Sequence, residues 1–94
     1  MPAYWIAHVT VTDPDRYKAY MALAPAVFAA HGGRILARGG ESETFEGSAY
    51  QRQVVIEFPS LAAARACYAS PGYTAARAAR DGACIAHISI VDGV

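Results

Sequence analysis

Two histidines and one glutamate are the residues of this chain best suited to acid–base chemistry. His8 lies in the segment YWIAHVTV, His87 in ACIAHISIV and Glu57 in RQVVIEF. A neutral imidazole can accept a proton near pH 7, and a carboxylate close to it can orient the ring. We therefore predict a catalytic group of His8, His87 and Glu57, with either histidine as the general base and Glu57 as the residue that orients it.

The same three side chains allow two other interpretations. They could hydrogen-bond only to one another and fix the register of a dimer. They could also hold zinc or non-haem iron, which two histidines and a carboxylate suit. A closed structural zinc site prefers four ligands, often thiolates, and these residues form no short local motif. We predict no metal and no cofactor.

Four further residues are candidates for binding a ligand. Tyr4 is predicted to share a strand face with His8, and Arg38 would hold an anionic group if its side chain turns inward. Tyr68 and Tyr73 flank the sequence ASPG between two predicted helices. They either pack in the core with the hydroxyl at the surface or line the mouth of the pocket.

Other tyrosines and arginines have structural interpretations. Tyr17 and Tyr20 share a stripe of the first predicted helix with apolar residues, which is typical of core packing. Arg77 and Arg80 lie one turn apart on the last predicted helix, which most often indicates a solvated face.

The segment LARGGESETFEG, Leu36 to Gly47, contains a double glycine that resembles part of a phosphate-binding loop. Such a loop needs glycines between a strand and a helix N-terminus, so that backbone N–H groups point at the anion. Here the double glycine is followed by three glutamates within six residues, and the next predicted element is a strand. The pattern favours a glycine bulge that bends a long second strand.

Hydrophobic and turn patterns place all these residues on four strands and two helical regions. The predicted strands are Tyr4–Val11, Arg34–Arg38 with a continuation at Thr44–Glu46, Arg52–Phe58 and Ala83–Val91. The first helix begins after the cap Asp13 and ends at Gly32, and Pro25 must kink it or split it. Ser60 and Ser70 cap the two segments of the second helical region.

The element order is β-α-β-β-α-β, which predicts an α+β fold of the ferredoxin-like type. Right-handed crossovers put the first and third strands in the middle of an antiparallel sheet, with the helices on one face. We expect residues 1–94 to form a single domain.

The sheet face without helices is predicted to be half apolar. It carries the three predicted catalytic residues together with Ile6, Val55, Ile85 and Val91. Such a surface invites a second sheet to pack against it. We predict a homodimer through this face, and a pocket for an unknown small molecule either between the two sheets or between sheet and helices.

Composition excludes several other classes of function. Eight basic and eight acidic residues give a formal net charge of zero, whereas a nucleic-acid-binding protein of this size normally has a basic surplus. Apolar stretches are shorter than the ~18 residues of a membrane span, and the N-terminus lacks the features of a signal peptide. We expect no nucleic-acid or membrane partner and a cytoplasmic location. Cys67 and Cys84 are expected to be small buried hydrophobic residues.

Five motifs, in order along almost the whole chain, resemble one family. TDPDRY, AHGGRILARGG, FEG, IEFPS and YASPGY are similar to small bacterial proteins known as domain of unknown function 1330. The resemblance implies a ferredoxin-like fold and a dimeric α/β barrel, in which two sheets pack face to face. Relatives usually carry an aromatic and an acidic residue near the second helix junction, where this chain has Cys67 and Gly72. The resemblance brings no known reaction.

Taken together, these features predict a homodimer that binds a small metabolite, with cofactor-free enzymatic activity on a cyclic or aromatic compound as one form of that function. The alternative is a dimeric structural or regulatory module without chemistry in a pocket.

Overall fold

A computed structural model describes all 94 residues and contains four strands and three helices. The strands are β1 Ala3–Val11, β2 Arg34–Arg38, β3 Arg52–Phe58 and β4 Cys84–Asp92. The helices are α1 Pro14–Ala30, α2 Leu61–Ala69 and α3 Pro71–Ala79. None of these helices combines the length and the apolar character needed to cross a membrane.

The four strands form one sheet in the order β2-β3-β1-β4, and every neighbouring pair is antiparallel. The predicted α+β, ferredoxin-like fold is confirmed, with the first and third strands in the middle. Side chains that point to the helices are buried along β1, whereas those on the other face are exposed or half-buried. This difference identifies one face of the sheet as the core side and the other as the helix-free face.

The helix boundaries follow the predicted capping residues. Asp13 Oδ1 accepts a hydrogen bond from the Arg16 N–H at 3.3 Å, and Ser60 Oγ accepts one from the Ala63 N–H at 3.1 Å. α1 remains one helix through Pro25, so the proline does not split it. Gly32, with φ of +80°, follows the helix end as a left-handed residue.

An aromatic cluster forms the centre of the core. The Trp5 ring packs against Phe28 and Tyr73 with centroid distances of 5.2 and 4.9 Å, both in edge-to-face geometry. Phe58 and Tyr68 complete its surroundings at 6.0 and 5.7 Å. These contacts join α1, α2, α3 and β3 to the central strand β1. α1 itself packs mainly against α3, which leaves space between α1 and the sheet.

The second strand is shorter than predicted. β2 ends at Arg38, and no strand is present at 44–46, so the expected continuation at Thr44–Glu46 is wrong. Gly39, with φ of +67°, turns the chain out of the sheet while its N–H still donates to the Gln53 carbonyl at 2.8 Å. The left-handed glycine therefore ends β2 rather than bending a long strand.

The predicted irregularity of the second strand lies inside β2 instead. Ile35 and Ala37 pair with consecutive residues of β3, so Leu36 is the extra residue of a bulge. Because a bulge adds one residue to a strand, each side chain after the bulge points to the opposite face from the one that regular alternation would give it. Arg38 therefore lies on the same side of the sheet as Ile35, the side of the helices.

The two cysteines differ in their surroundings. Cys67 on α2 is fully buried, as predicted, and burial raises the pKa of its thiol to about 11. Cys84 at the start of β4 is only half-buried and is contacted by Arg80 Nη1, 3.2 Å from its Sγ. Cys67 is thus a small core residue, whereas Cys84 has a cationic neighbour.

Replacing Ser70 by alanine should destabilise the fold by about 1–2 kcal/mol, because this residue caps two helices at once. Its Oγ accepts from the Tyr73 N–H at 3.2 Å at the start of α3 and donates to the Cys67 carbonyl at 2.7 Å at the end of α2. Urea denaturation of Ser70→Ala measures the loss. Ser48→Ala, in an exposed loop, is the control and should match the wild type. Equal midpoints for the two variants would contradict the capping role.

Candidate functional site

The predicted histidine pair forms on the helix-free face. His8 of β1 and His87 of β4 are direct cross-strand partners, and both side chains are exposed. The Tyr50 ring packs against both imidazoles, at centroid distances of 5.9 and 5.2 Å. His8 Nδ1 is hydrogen-bonded to Gln53 Oε1. The two histidines therefore share one surface with Tyr50 and Gln53, and their role as general bases stays a prediction.

Glu57 does not join the histidines, contrary to our expectation. In the register of β1 and β3 it pairs with Tyr4, whereas His8 pairs with Gln53. Tyr4 and His8 are four residues apart on β1, so Glu57 lies about 13 Å along the strand from the position of His8. The Glu57 carboxylate instead accepts hydrogen bonds from Arg34 Nη2 at 2.9 Å and, more weakly, from the Tyr4 hydroxyl at 3.5 Å. Alternation places Glu57 on the correct face, but register places it too far away to orient either imidazole.

A cavity of about 350 Å³ lies on the other side of the sheet, between the sheet and α1. Of its 16 lining residues, 12 are hydrophobic. Most of the apolar wall comes from Trp5, Ala7, Val9, Ala24, Phe28, Ala86 and Ile88. The volume and the apolar lining are those of a small-molecule site.

The polar lining of this cavity consists of tyrosines and arginines. Tyr17 and Tyr20 enter from α1, Arg38 and Arg52 from the facing ends of β2 and β3, and Arg80 from the end of α3. Arg38 thus turns toward a cavity, but toward the one under the helices rather than one between two sheets. No His, Asp or Glu lies among the lining residues.

The other predicted ligand-binding residues are dispersed. Tyr4 lies on the helix-free face beside Glu57. Tyr73 is fully buried, and its hydroxyl is 2.9 Å from that of Tyr20, so it is a core residue. Tyr68 lines a separate groove beside β4, where the Arg77 guanidinium lies 4.9 Å from its ring. The expectation that Tyr68 and Tyr73 line one pocket mouth is not met, because the junction of α2 and α3 is packed onto Trp5.

Burial holds the tyrosines of the cavity in their neutral form. Burial raises the pKa of the Tyr17 hydroxyl. The pKa of Tyr20 is raised more strongly, by burial and by its hydrogen bond to the neighbouring Tyr73. Burial alone would lower the pKa of Arg80, but hydrogen bonding to Tyr73 and Cys84 outweighs it and the net shift is upward. At neutral pH the cavity therefore presents hydroxyl donors and a fully charged guanidinium.

Sequence reasoning missed Arg52 and Arg80 as cavity residues. Strand alternation contained the signal for Arg52, because it shares its face with Val54, Ile56 and Phe58 of the core side. For Arg80, the helical spacing predicted a solvated face. That interpretation fits Arg77, which is exposed, but is wrong for Arg80 at the helix C-cap, whose side chain lies over the Tyr20 ring at 4.9 Å.

Comparison with known proteins identifies a family and several structural neighbours. The sequence model of the family described as Domain of unknown function (DUF1330) matches residues 2–94. Among curated proteins, none matches the chain.

No group of three or more His, Cys, Asp and Glu side chains is placed to hold a metal ion.

Solved structures with the same fold are only distantly similar in sequence. A protein of unknown function from Rhodopseudomonas palustris aligns with a TM-score of 0.80 at 20% identity, over 99% of this chain and 82% of the other. SnoaB from Streptomyces nogalater, described as a cofactor-independent oxygenase, aligns with a TM-score of 0.66 at 17% identity, over 99% and 93%. A protein from Bacteroides fragilis, described as dimeric with a ferredoxin-like fold, aligns with a TM-score of 0.66 at 12% identity, over 98% and 96%.

Removing the charge of Glu57 should leave the histidines unaffected. Glu57→Gln should not change the imidazole ¹H and ¹⁵N chemical shifts of His8 or His87, because the carboxylate is about 13 Å away along the strand. Gln53→Ala should shift the His8 signals, since it removes a direct hydrogen bond. Two-dimensional NMR of the side chains measures both. A large shift at His8 in Glu57→Gln would restore the predicted catalytic group.

Proposed function

We infer that this chain, which belongs to the DUF1330 family, binds a small and largely apolar metabolite in the cavity between α1 and the sheet. One observation carries the proposal: the cavity itself, with apolar walls and a few convergent polar groups. A well-formed apolar pocket of this kind is the default ligand site of a small protein.

This cavity is a better candidate for the ligand than the histidine surface. Its walls are preformed by core residues such as Trp5 and Phe28, which ordered packing holds in place. The histidines lie on an open sheet face and become enclosed only if a second copy covers them. Burial of apolar ligand surface contributes roughly 25 cal/mol per Å², and only the helix side supplies such walls within one chain.

A homodimer through the helix-free face is the second part of the proposal. Ile85 and Val91 on this face are 57% and 50% exposed, and Ile6 and Val55 between them are half-buried. A half-apolar sheet face of this kind favours burial against another chain. The Bacteroides fragilis protein with the same fold is described as dimeric.

Introducing a charge at Val55 should break this dimer. Val55→Asp places a carboxylate beside Ile6 on this face, and burying an unpaired charge in the interface costs several kcal/mol. Sedimentation equilibrium should show a monomer, with circular dichroism to exclude unfolding. Ala62→Asp on exposed α2 is the matched control and should sediment as the wild type does. A dimer that persists in Val55→Asp would place the interface elsewhere.

Two kinds of activity are compatible with ligand binding in this cavity. The protein could be a cofactor-free enzyme, as SnoaB of the same fold is described to be a cofactor-independent oxygenase. His8 and His87 could not then act as bases on a ligand in the cavity, because the sheet separates them from it. The alternative is a non-enzymatic regulatory or structural dimer. Oxygen consumption with the ligand bound would support the oxygenase form of the first alternative, whereas conversion of the ligand without oxygen uptake would indicate another cofactor-free reaction and an unchanged ligand would favour the second alternative.

Filling the cavity should abolish binding. Trp5, the only tryptophan, lines the cavity, so its emission reports occupancy. Titration with the neutral probe 3-phenylpropan-1-ol should change the emission in a saturable way, and Ala86→Leu should weaken binding by about tenfold or more by occupying the space. Ala66→Leu, exposed on α2, is the control.

Native mass spectrometry of freshly purified protein complements this titration, because a co-purified ligand would appear as an added mass. Unsaturable emission in the wild type, or equal binding to Ala86→Leu, would contradict the proposed site.

A further inference from the structure

Three arginines line the cavity without any acidic side chain to balance them. Arg38, Arg52 and Arg80 are all lining residues, and none of the others is Asp or Glu. The single salt bridge of the chain joins Arg34 to Glu57 on the helix-free face. Since basic and acidic residues are equal in number, eight of each, the positive charge of the cavity is a local excess.

Two of these guanidinium groups have buried donors that no protein atom satisfies. Arg52 Nε and Arg80 Nε are both buried and lack a hydrogen-bond partner. Among the remaining donors, Arg52 Nη1 lies 3.8 Å from Met21 Sδ, whereas Arg80 is hydrogen-bonded to Tyr73 and its Nη1 lies 3.2 Å from Cys84 Sγ. Sulfur is a weak acceptor, and an unsatisfied buried donor on a charged group is costly. The protein therefore leaves one donor of each guanidinium group, its Nε, without an acceptor.

Tyr17 packs against Arg52 and Tyr20. Arg52 Cζ is 5.8 Å from its ring centroid, and its ring lies 5.3 Å from that of Tyr20, over which Arg80 Cζ sits at 4.9 Å. Burial raises the pKa of Tyr17 against the opposing positive charges of Arg52 and Arg80. The Tyr17 hydroxyl therefore stays protonated at neutral pH, so Tyr17 adds a hydroxyl donor to the lining of the cavity.

We propose that the ligand of this cavity is an organic carboxylate with an apolar, ring-sized body, whose carboxylate is held by Arg52 and Arg80 with the Tyr17 hydroxyl. The inference rests on the proposed function, because it assigns a chemical class to the ligand of the same cavity. The planar guanidinium fork matches the two oxygens of a carboxylate, and the carboxylate supplies the negative charge that the lining residues lack. The apolar walls around Trp5 and Ile88 receive the body of the ligand.

A pair of probes that share one carbon skeleton isolates the role of the charge. Isothermal titration at pH 7.5 and Trp5 emission compare 3-phenylpropionate with 3-phenylpropan-1-ol on the wild-type protein. The carboxylate should bind at least about tenfold more tightly, since hydrogen bonds to charged groups are the stronger ones. This comparison needs no variant and therefore holds even if a substitution impairs folding.

Variants then identify the groups that recognise the charge. Arg52→Gln and Arg80→Gln should each reduce the preference for the carboxylate, and Tyr17→Phe should lower carboxylate affinity about fivefold. Arg77→Gln, on an exposed side chain outside the cavity, is the control and should keep the full preference. Thermal unfolding of each variant confirms that it is folded.

The outcomes separate this inference from the proposed function. A carboxylate preference that is lost in Arg52→Gln and Arg80→Gln, but kept in Arg77→Gln, supports both. Equal affinity for the two probes in the wild type overturns the carboxylate assignment and leaves the cavity as a site for neutral ligands. Absence of saturable binding by either probe overturns both.

Discussion

The packing around Trp5 is the interaction on which the rest of this structure depends. Its side chain lies on the central strand β1, is 1% exposed and contacts rings from β3 and from all three helices. Each aromatic pair contributes about 0.5–1.5 kcal/mol beyond the burial of its area. Trp5 and Phe28 of this cluster also line the cavity between α1 and the sheet. The core and the candidate site therefore share one wall, so that changes in either will affect the other.

The sheet divides the chemistry of the protein into two separate environments. On the helix side, tyrosine hydroxyls and guanidinium groups face an apolar space, where low polarity strengthens each electrostatic contact. On the helix-free side, the Arg34–Glu57 salt bridge lies about 13 Å along the strands from the histidine pair. Ligand binding and dimer formation would therefore use different faces, and a substitution on one face can test one without disturbing the other.

The division also bears on mechanism. The cavity offers positive charge and hydrogen-bond donors, which suit an anionic compound, but burial keeps its tyrosines neutral. Any chemistry there must come largely from the ligand and from what enters with it.

Local patterns in the sequence determined the elements and the faces of this fold. Capping residues such as Asp13, Ser60 and Ser70 predicted where helices begin, because a side-chain acceptor for an unpaired N–H is a local requirement. Alternation predicted that His8 and His87 share a face, and the strand order made them neighbours.

Only the tertiary structure decided which residues on a face meet. Register placed Glu57 opposite Tyr4 rather than near the histidines, the bulge at Leu36 turned Arg38 to the helix side, and packing at the end of α3 brought Arg80 over Tyr20. Each of these outcomes depends on hydrogen bonds and contacts between segments far apart in the chain. The periodicity of a single segment contains no information about them, since alternation specifies the sheet face to which a side chain points but not the residue opposite it on the neighbouring strand.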